Sequence, residues 1–280
     1  MSSHDRLNAE LESVAVEVAV KAARFVAEST ARLSISRADG GVDVAAKTTT
    51  TDLVTDVDRA SEALLIEAIG RRRPDDAVLG EESGRHPGVG GSAVEWVIDP
   101  IDGTVNFVLG IPLFSVSVAA RRDGVVLAGC VADVMRGEVF YARAERGSRV
   151  RAADGSDRAL VGPRAVTLAD AVVGTGFGYE PQVRRRQGAV LAELLPLVGN
   201  VRRLGSAALD LCYVAAGRLD AYYESGLNDW DRAAGLLIAA QAGAQVGTLD
   251  AAAGGRPTTI AAAPSVFSSL RALLVRIGAA

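Results

Sequence analysis

The sequence has few cysteines, few histidines and no excess of basic residues. Two cysteines and two histidines occur among 280 residues, and the formal net charge is −4. The thiols, Cys130 and Cys212, lie in apolar segments, which predicts buried free thiols in a reducing compartment rather than a disulfide framework. Because the charge balance is acidic and no basic stripe is present, direct binding of nucleic acid is not expected.

Long apolar runs and a leader pattern are also missing. Residues 1–12 are polar and acidic, without the basic start and apolar run of a secretory signal. The apolar stretches 116–120 and 125–134 have the length of strands and not of membrane spans. The sequence therefore predicts a cytoplasmic protein with no membrane partner. Its length and its 49% hydrophobic content suffice for one large domain or two tightly packed lobes.

The most informative segment is 96–104, in which an apolar run leads into two carboxylates. Residues 94–98 predict a short buried strand, and Pro100 and Gly103 predict a tight turn after it. Asp99 and Asp102 would then lie at the end of a core strand, where negative charge needs a cation. Mg²⁺ takes oxygen ligands of this kind. The alternative interpretation is a turn with a helix cap, because Asp, Gly and Thr are common in both.

Two further acidic clusters occupy similar settings. Glu81 and Glu82 follow the apolar run 77–79, and Asp231 lies at the start of an Ala- and Leu-rich helix. Three carboxylate clusters, each at the end of a regular element, predict one shared metal site.

These clusters resemble the three signature motifs of the inositol monophosphatase family. The motifs are Gly-Glu-Glu-Ser at 80–83, Asp-Pro-Ile-Asp-Gly-Thr at 99–104 and Trp-Asp-Arg-Ala-Ala-Gly at 230–235, in the family's order and with compatible spacing. Segments 52–58 and 205–224 resemble the family's N-terminal acidic motif and its substrate-binding segment. The resemblance covers about residues 47–243. It implies a layered αβαβα sandwich with the metal site between two lobes.

The predicted elements fit two lobes, an N-terminal α+β lobe over 1–152 and a C-terminal α/β lobe over 153–280. The polar stretch 151–157 is the predicted boundary, and 36–51 and 84–92 are predicted surface loops. In the first lobe we expect helices at 7–33 and 57–72 and an antiparallel sheet of strands at 77–79, 94–98, 114–120, 125–133 and 138–142. In the second we expect strands at 172–174, 201–203 and 219–223 and helices at 184–197, 207–216 and 231–242.

The resemblance implies hydrolysis of a phosphate monoester with two to three Mg²⁺ ions and inhibition by Li⁺. Divalent metals neutralise the ester's charge, activate water and stabilise the leaving alkoxide. By resemblance, Glu81, Asp99 and the carbonyl of Ile101 bind the first ion. Asp99, Asp102 and Asp231 bind the second, and a third ion lies at Glu81. Glu82 is expected to be a supporting or surface group.

The resemblance also assigns the attacking water and the phosphate. Thr104 and Asp58 are expected to orient the water, and the N–H groups of Gly103 and Thr104 to bind phosphate oxygens. The alternative role of Thr104 is to cap a following helix. Lys47 is expected in a mobile loop that closes over the metals, and its alternative is an exposed loop lysine.

The substrate's hydroxyl groups have expected partners in the second half of the chain. By resemblance Glu224 binds an inositol hydroxyl, and Gly205 and Ala207 contribute backbone contacts. Asp210 is a candidate for a further hydrogen bond to the polyol, or a solvent-facing residue of its helix. Residues 184–186, three arginines, are expected on a solvated helix face rather than at a second phosphate.

The function implied is the conversion of myo-inositol 1-phosphate to myo-inositol and phosphate by a homodimer. The alternative substrates are histidinol phosphate, fructose 1,6-bisphosphate and a 3′-phosphoadenosine nucleotide, because relatives share the metal motifs and differ in the substrate loops. A different class also stays open, a protein that binds the transcription machinery independently of catalysis.

Overall fold

The computed structural model describes residues 3–37, 44–46, 53–250 and 256–279. Its α-helices are α1 (Ser3–Arg37), α2 (Asp56–Arg72), α3 (Thr104–Leu109), α4 (Pro181–Leu194), α5 (Ala207–Ala215), α6 (Asp229–Gln241) and α7 (Pro264–Arg276). Its strands are β1 (Val44–Ala46), β2 (Leu53–Thr55), β3 (Ala77–Gly80), β4 (Gly84–His86), β5 (Val94–Asp102), β6 (Ser115–Arg122), β7 (Val125–Asp133), β8 (Glu138–Arg143), β9 (Ser148–Arg151), β10 (Asp157–Ala159), β11 (Val172–Thr175), β12 (Asn200–Arg202), β13 (Ala221–Ser225), β14 (Gln245–Leu249) and β15 (Thr258–Ala262).

The strands form two large sheets and a separate hairpin of β1 and β2. The first sheet has the order β10-β9-β8-β7-β6-β5-β3-β4 and is antiparallel except where β3 pairs with β5. The second has the order β12-β11-β13-β15-β14. In it, β12, β11 and β13 are parallel, whereas β15 runs antiparallel to β13 and β14. The second sheet is therefore mixed.

Alternate residues of each strand enter different cores, because successive side chains point to opposite faces of a sheet. In β5, Trp96 and Ile98 pack with α1 and α2, while Val97 packs with α5 and α6. In β13, Tyr222 packs with α5 and α6, while Tyr223 packs with α4 and α7. The order of layers is α1/α2, first sheet, α5/α6, second sheet, α4/α7. The predicted αβαβα sandwich is confirmed.

Helices α5 and α6 form the middle layer, and close contacts fix α6 against the first sheet. A Cβ atom added at Gly129 of β7 would lie 2.9 Å from the Cα atom of Ala234 in α6. Such a close approach is open only to glycine. The two middle helices begin at the same end of the sandwich, where the carboxylates described below are found.

The predicted elements are largely observed, with corrections at irregular points. The strand predicted to stop at Ile98 continues through Pro100 to Asp102, with a shift in its pairing with β6 between Asp99 and Asp102. The prediction of an all-antiparallel first sheet is wrong, because β3 runs parallel to β5. Residues 84–86, predicted as loop, form the edge strand β4. Residues 44–46 in the other predicted loop form β1.

The second half contains elements that the periodicity did not predict. Strands β14 and β15 and helix α7 follow the last predicted helix. The hairpin of β9 and β10 extends the first sheet to Ala159, so the boundary proposed at 152/153 falls inside this hairpin. Cys130 and Cys212 are buried free thiols, as predicted. Within the described part of the chain, no helix combines the length and the apolar character needed to cross a membrane.

Candidate active site

A cleft of about 850 Å³ opens at the N-terminal ends of α5 and α6. Ten residues with a predicted site role line it: Glu81, Asp99, Ile101, Asp102, Gly103, Thr104, Gly205, Ala207, Glu224 and Asp231. Asp58 is not among the lining residues but accepts a hydrogen bond from Thr104. Lys47 lies outside the described residues. The fold thus gathers side chains separated by up to 173 positions, from Asp58 to Asp231, around one space.

The irregular end of β5 directs two carboxylates into this cleft. Asp99 Oδ1 accepts a hydrogen bond from the backbone N–H of Ile101 at 3.0 Å. The Ser61 hydroxyl donates to the Pro100 carbonyl at 3.3 Å, which anchors the segment to α2. Asp99 is 1% and Asp102 8% exposed. The residues Pro-Ile between the two acids form the irregularity, so both side chains stay near the cleft.

Asp102 is attached to the start of α5. Its Oδ2 atom accepts hydrogen bonds from the Ser206 hydroxyl at 2.5 Å and from the Ala208 N–H at 2.7 Å. Its Oδ1 atom lies 3.3 Å from the donating N–H of Ala207. Ser206 is also the N-cap of α5 and accepts a bond from Leu209 N. A carboxylate at a helix N-terminus is stabilised by the free N–H groups and the helix dipole.

Asp231 is held in a similar way at the start of α6. Asn228 is the N-cap, and its side chain and that of Asp231 form a reciprocal capping box. Asp231 Oδ2 accepts the Asn228 N–H at 2.6 Å. Two of the predicted metal ligands are therefore fixed by helix caps in the middle layer.

Burial and mutual repulsion raise the pKa values of these acids. The pKa of Asp99 is raised well above its usual range by burial and then by Glu81, Asp102, Asp231 and Asp58. Burial raises the pKa of Asp102 to about 6, against the lowering effect of the bonds from Ser206 and Ala208. Burial, followed by Asp102, raises the pKa of Asp231 well above its usual range. Such a cluster favours a bound cation, which removes the repulsion.

Thr104 connects the end of β5 with α2. Its hydroxyl lies 3.0 Å from the Ile101 carbonyl and 3.2 Å from Asp58 Oδ1, two acceptors for its one proton. Gly103 is the N-cap of α3, so the alternative in which the Thr104 side chain caps this helix is wrong. The Thr104–Asp58 contact places a hydroxyl and a buried carboxylate together at the carboxylate end of the cleft.

The other end of the cleft carries Glu224 and Asp210. Tyr222 donates its hydroxyl to Glu224 Oε2 at 2.5 Å. Burial raises the pKa of Glu224 to about 7, against lowering by Tyr222 and Arg203. Asp210 is 2% exposed and lines the cleft, so the alternative of a solvent-facing residue is wrong. Burial and then Glu224 raise the pKa of Asp210 well above its usual range.

The three arginines at 184–186 lie on the exposed face of α4, as predicted. Arg186 also borders the cleft, together with Arg203 and Arg256. The outer rim of the cleft is therefore basic, whereas its floor is acidic.

The donor set fits divalent metal ions in its chemistry. Four carboxylates of the predicted ligand set line one cleft, and Asp102 and Asp231 each retain lone pairs beyond the bonds they accept at a helix N-terminus. Carboxylate and carbonyl oxygens are the ligands that Mg²⁺ prefers. Among residues 3–37, 44–46, 53–250 and 256–279, no three His, Cys, Asp or Glu side chains already form an ion cage. The carboxylate oxygens line the same cleft, and they would have to move closer together to coordinate one ion.

Sequence reasoning missed two residues that hold the site in place. Ser206 is bonded to Asp102, and Glu62 of α2 lies 2% exposed beneath the loop that carries Glu81. Ser206 directly precedes an apolar helical run, which is an N-cap signal. Asp58, Ser61, Glu62 and Leu65 share one helix face by their spacing, and a glutamate on a buried face indicates a specific partner.

The comparisons with known proteins agree with this geometry. The profile of the inositol monophosphatase family matches residues 7–277. Inositol-1-monophosphatase SuhB of Mycobacterium tuberculosis is 47% identical over 290 aligned residues, covering 99% of this chain and 97% of the relative. A solved structure of Mycobacterium tuberculosis SuhB superposes with a TM-score of 0.80 at 43% identity, covering 96% of this chain and 97% of that one.

A third relative carries a different name. Nus factor SuhB of Pasteurella multocida is 44% identical over 198 residues, which cover 70% of this chain and 72% of the relative. The motifs, the layered fold and the family match over nearly the whole length point to one assignment: the chain belongs to the inositol monophosphatase family and is an enzyme of the phosphatase class.

Proposed function

We propose that the protein hydrolyses myo-inositol 1-phosphate to myo-inositol and phosphate in a Mg²⁺-dependent reaction. One observation carries the proposal. A single cleft has a carboxylate cluster with the Thr104–Asp58 pair at one end and the buried acids Glu224 and Asp210 at the other. The first end suits a phosphate and its metal ions, and the second suits the hydroxyl groups of a polyol.

At the carboxylate end, Glu81, Asp99, Asp102, Asp231 and the Ile101 carbonyl would hold two to three Mg²⁺ ions. When bound, these ions supply charge neutralisation, a more acidic water and a stabilised leaving oxygen. The N-termini of α5 and α6 add positive potential toward the ester.

Thr104 and Asp58 orient the attacking water. The Thr104 hydroxyl donates to Asp58 or to the Ile101 carbonyl, so its own oxygen is left to accept a hydrogen bond from water. Asp58 is 1% exposed, which keeps this acceptor fixed. The residues thus hold the water by hydrogen bonds, and no free base is required.

At the polyol end, Glu224 accepts a hydroxyl of the leaving alcohol, with Gly205 and Ala207 contributing backbone contacts. Tyr222 fixes one carboxylate oxygen of Glu224, which leaves the other for the substrate. Buried acids disfavour a second phosphate group here by charge repulsion. The 47% identity to a protein named inositol-1-monophosphatase supports the same substrate.

The test is phosphate release from a panel of esters with and without Mg²⁺. The panel holds myo-inositol 1-phosphate, histidinol phosphate, fructose 1,6-bisphosphate and 3′-phosphoadenosine 5′-phosphate. We expect metal-dependent turnover led by the inositol ester. Turnover led by another ester would overturn the substrate and leave the metal site intact.

A second candidate function is binding to the transcription machinery, supported by the relative named Nus factor SuhB. The two functions separate in Asp99→Asn, which removes a predicted metal ligand. Retention on immobilised RNA polymerase should survive this substitution, and phosphate release should not. If neither wild type nor variant is retained, the second candidate is excluded.

We also expect a homodimer, as the family resemblance implies, and a cytoplasmic location, as the sequence predicts. A molar mass of one chain by light scattering would exclude the dimer without affecting the proposed chemistry.

A further inference from the structure

Some polar atoms on the walls of the cleft lack a partner in the described part of the chain. Asp210 Oδ1, Thr175 Oγ1, Tyr223 Oη and Trp230 Nε1 are buried without a hydrogen bond, and all four residues line the cleft. Among these four atoms, Asp210 Oδ1 belongs to a carboxylate, and an unsatisfied buried acceptor costs about 1–3 kcal/mol.

Asp210 and Glu224 lie over one short segment, which consists of the end of β11 and the glycine that follows it. A Cβ atom at Gly174 would lie 3.1 Å from Asp210 Oδ1, and one at Gly176 would lie 1.9 Å from Glu224 Oε2. The two glycines are only two residues apart, and Glu224 lies near enough to Asp210 to raise its pKa. The two acids are therefore neighbours on one wall, with the missing side chains of two glycines making room for them.

We propose that Asp210 is a second polyol-recognising residue, which binds a hydroxyl of the leaving alcohol next to the one bound by Glu224. This inference rests on the proposed function and deepens it. Two carboxyl groups side by side on one wall suit a ring polyol, whose hydroxyls lie on neighbouring carbons, with one hydrogen bond to each acid. A small ester without hydroxyl groups would leave Asp210 unsatisfied.

The surrounding charges fit a neutral polyhydroxy group. Arg203 lies near enough to both acids to lower their pKa values, whereas Asp102 raises them. Around the two acids there is thus one cation and further negative charge, which opposes a second phosphate. Asp210 and Glu224 together select for a neutral, hydroxylated leaving group.

The experiment compares two esters in the wild type and in Asp210→Asn. Asparagine keeps the size of the side chain but changes one acceptor oxygen to a donor. The esters are myo-inositol 1-phosphate and p-nitrophenyl phosphate, which has no hydroxyl group on its ring. We expect kcat/KM to fall about 10- to 100-fold for the inositol ester, because one substrate hydroxyl loses its buried acceptor, and to change less than about twofold for the other ester.

Asp133→Asn is the matched control. Asp133 is also a buried acid that contacts α5, through Tyr213 Oη at 3.1 Å, but it does not line the cleft. The ratio of the two kcat/KM values should stay at the wild-type level in this variant. An equal loss on both esters in Asp210→Asn, or an unchanged ratio, would overturn the inference.

Two further measurements apply if Asp210→Asn does not fold or if the inositol ester is not the substrate. Gly174→Ala would place a methyl group 2.9 Å from Leu219 Cδ1, 3.1 Å from Asp210 Oδ1 and 3.2 Å from Tyr222 Cδ2. It therefore crowds the wall that holds both acids and should lower the same ratio, should Asp210→Asn not fold. Calorimetric titration with free myo-inositol needs no turnover, so it tests Asp210 even where the panel excludes the inositol ester. A Kd about tenfold weaker in Asp210→Asn supports the inference, and equal affinity or no binding by the wild type overturns it.

Discussion

The carboxylate of Glu62 in α2 holds the backbone of Ser83. Glu62 Oε1 accepts the Ser83 N–H at 2.8 Å, and Oε2 accepts the N–H of Glu82 at the same distance. The Ser83 hydroxyl also donates to Glu62. A Cβ atom at Gly80 would lie 2.5 Å from Glu62 Oε2, so the strand end is pressed against this acid. Glu62 thereby fixes the turn that presents Glu81 to the cleft.

Glu62→Gln should weaken metal binding without removing a ligand. The amide replaces one acceptor oxygen with a donor, so one of the two N–H groups loses its partner and the Glu81 turn loosens. We expect the Mg²⁺ concentration for half-maximal phosphate release to rise about 10-fold or more, since groups that orient ligands typically contribute 10- to 100-fold in metal affinity.

The control for this prediction is Glu67→Gln on the same helix. Glu67 is exposed and pairs with Arg71 on the surface. Its Mg²⁺ dependence should match the wild type. Equal Mg²⁺ dependence in Glu62→Gln would show that the turn is held by other contacts.

Thr104→Val should lower kcat and leave KM for the ester little changed. The substitution removes the hydroxyl that lies between Asp58 and the Ile101 carbonyl and keeps the branched shape. We expect a loss of about 100-fold or more, within the range for a group that directs proton movement. Thr104→Ser keeps the hydroxyl, so its kcat should stay within about tenfold of the wild-type value. Near wild-type kcat in the valine variant would remove Thr104 from the reaction.

Gly176→Ala should displace Glu224. The added methyl group would lie 1.9 Å from Glu224 Oε2, so the carboxylate must move away from its bond with Tyr222. We expect turnover of the inositol ester to fall at least tenfold, equivalent to about 1.4 kcal/mol of lost transition-state stabilisation, because Glu224 no longer meets the substrate hydroxyl. Steady-state kinetics on the inositol ester and p-nitrophenyl phosphate provide the measurement.

Gly188→Ala is the corresponding control in α4. No atom lies within 4 Å of the added methyl group there. It should leave turnover unchanged and raise the free energy of unfolding by about 0.5–1 kcal/mol, because alanine is the better helix former. Equal kinetics for the two alanine variants would contradict the crowding at Glu224.

Glu224→Gln should change how stability depends on pH. The pKa of Glu224 is about 7 in the folded protein, against 4.5 as its ordinary value. An acid with a raised folded pKa stabilises the fold fully below the unfolded pKa, and this stability is lost as pH rises toward 7. As the pH rises from 4.5 to 7, the free energy of unfolding of the variant should therefore increase relative to that of the wild type, by at most about 3 kcal/mol.

The measurement is the free energy of unfolding in urea at pH 4.5, 6 and 7.5 in buffers without divalent ions. Glu224 also raises the pKa of Asp210, so the difference between the two proteins reports Glu224 together with this neighbour. A difference that is constant with pH would place the pKa of Glu224 at its ordinary value.

Lithium should inhibit phosphate release if a labile Mg²⁺ position exists. Li⁺ is a small cation that takes the same oxygen ligands but carries half the charge, so it supports less charge neutralisation. Inhibition should weaken when the Mg²⁺ concentration is raised, because Mg²⁺ then competes with Li⁺ for the more labile position. Activity unaffected by millimolar lithium would argue against exchange of ions at this site.

The fold was predictable where the pattern is periodic and less so where local geometry is irregular. The apolar runs of β6 and β7 and the spacing of α2 predict these elements to within a few residues. Pro100 predicts a break, yet β5 continues past it, because Pro100 lies in the irregularity between the paired residues Asp99 and Asp102, where no ladder hydrogen bond needs its missing N–H. The parallel pairing of β3 with β5 requires the chain between them to return to the end of the sheet at which β3 begins. The periodicity of apolar residues does not encode this path.

The site was predictable as a set of motifs and not as a network. The acids at 81, 99, 102 and 231 follow from the motif resemblance, and the structure brings them to one cleft. Their supports, Ser206 and Glu62, carry local signals, an N-cap position and a buried helix face, but these signals do not show which distant group each one contacts. Asp210 gives no motif signal, and only its burial distinguishes it from an exposed helix residue.

The bonds between Asp102 and α5 have a consequence for thermodynamic linkage. The Asp102 carboxylate is a predicted metal ligand and also accepts hydrogen bonds at the start of α5, the helix that carries Asp210. An ion bound to Asp102 would therefore also affect the first turn of α5. Any factor by which Mg²⁺ changes the affinity for the polyol must equal the factor by which the polyol changes the affinity for Mg²⁺. The apparent affinity for each ligand then depends on the concentration of the other, so a dissociation constant for the polyol must be stated together with the Mg²⁺ concentration.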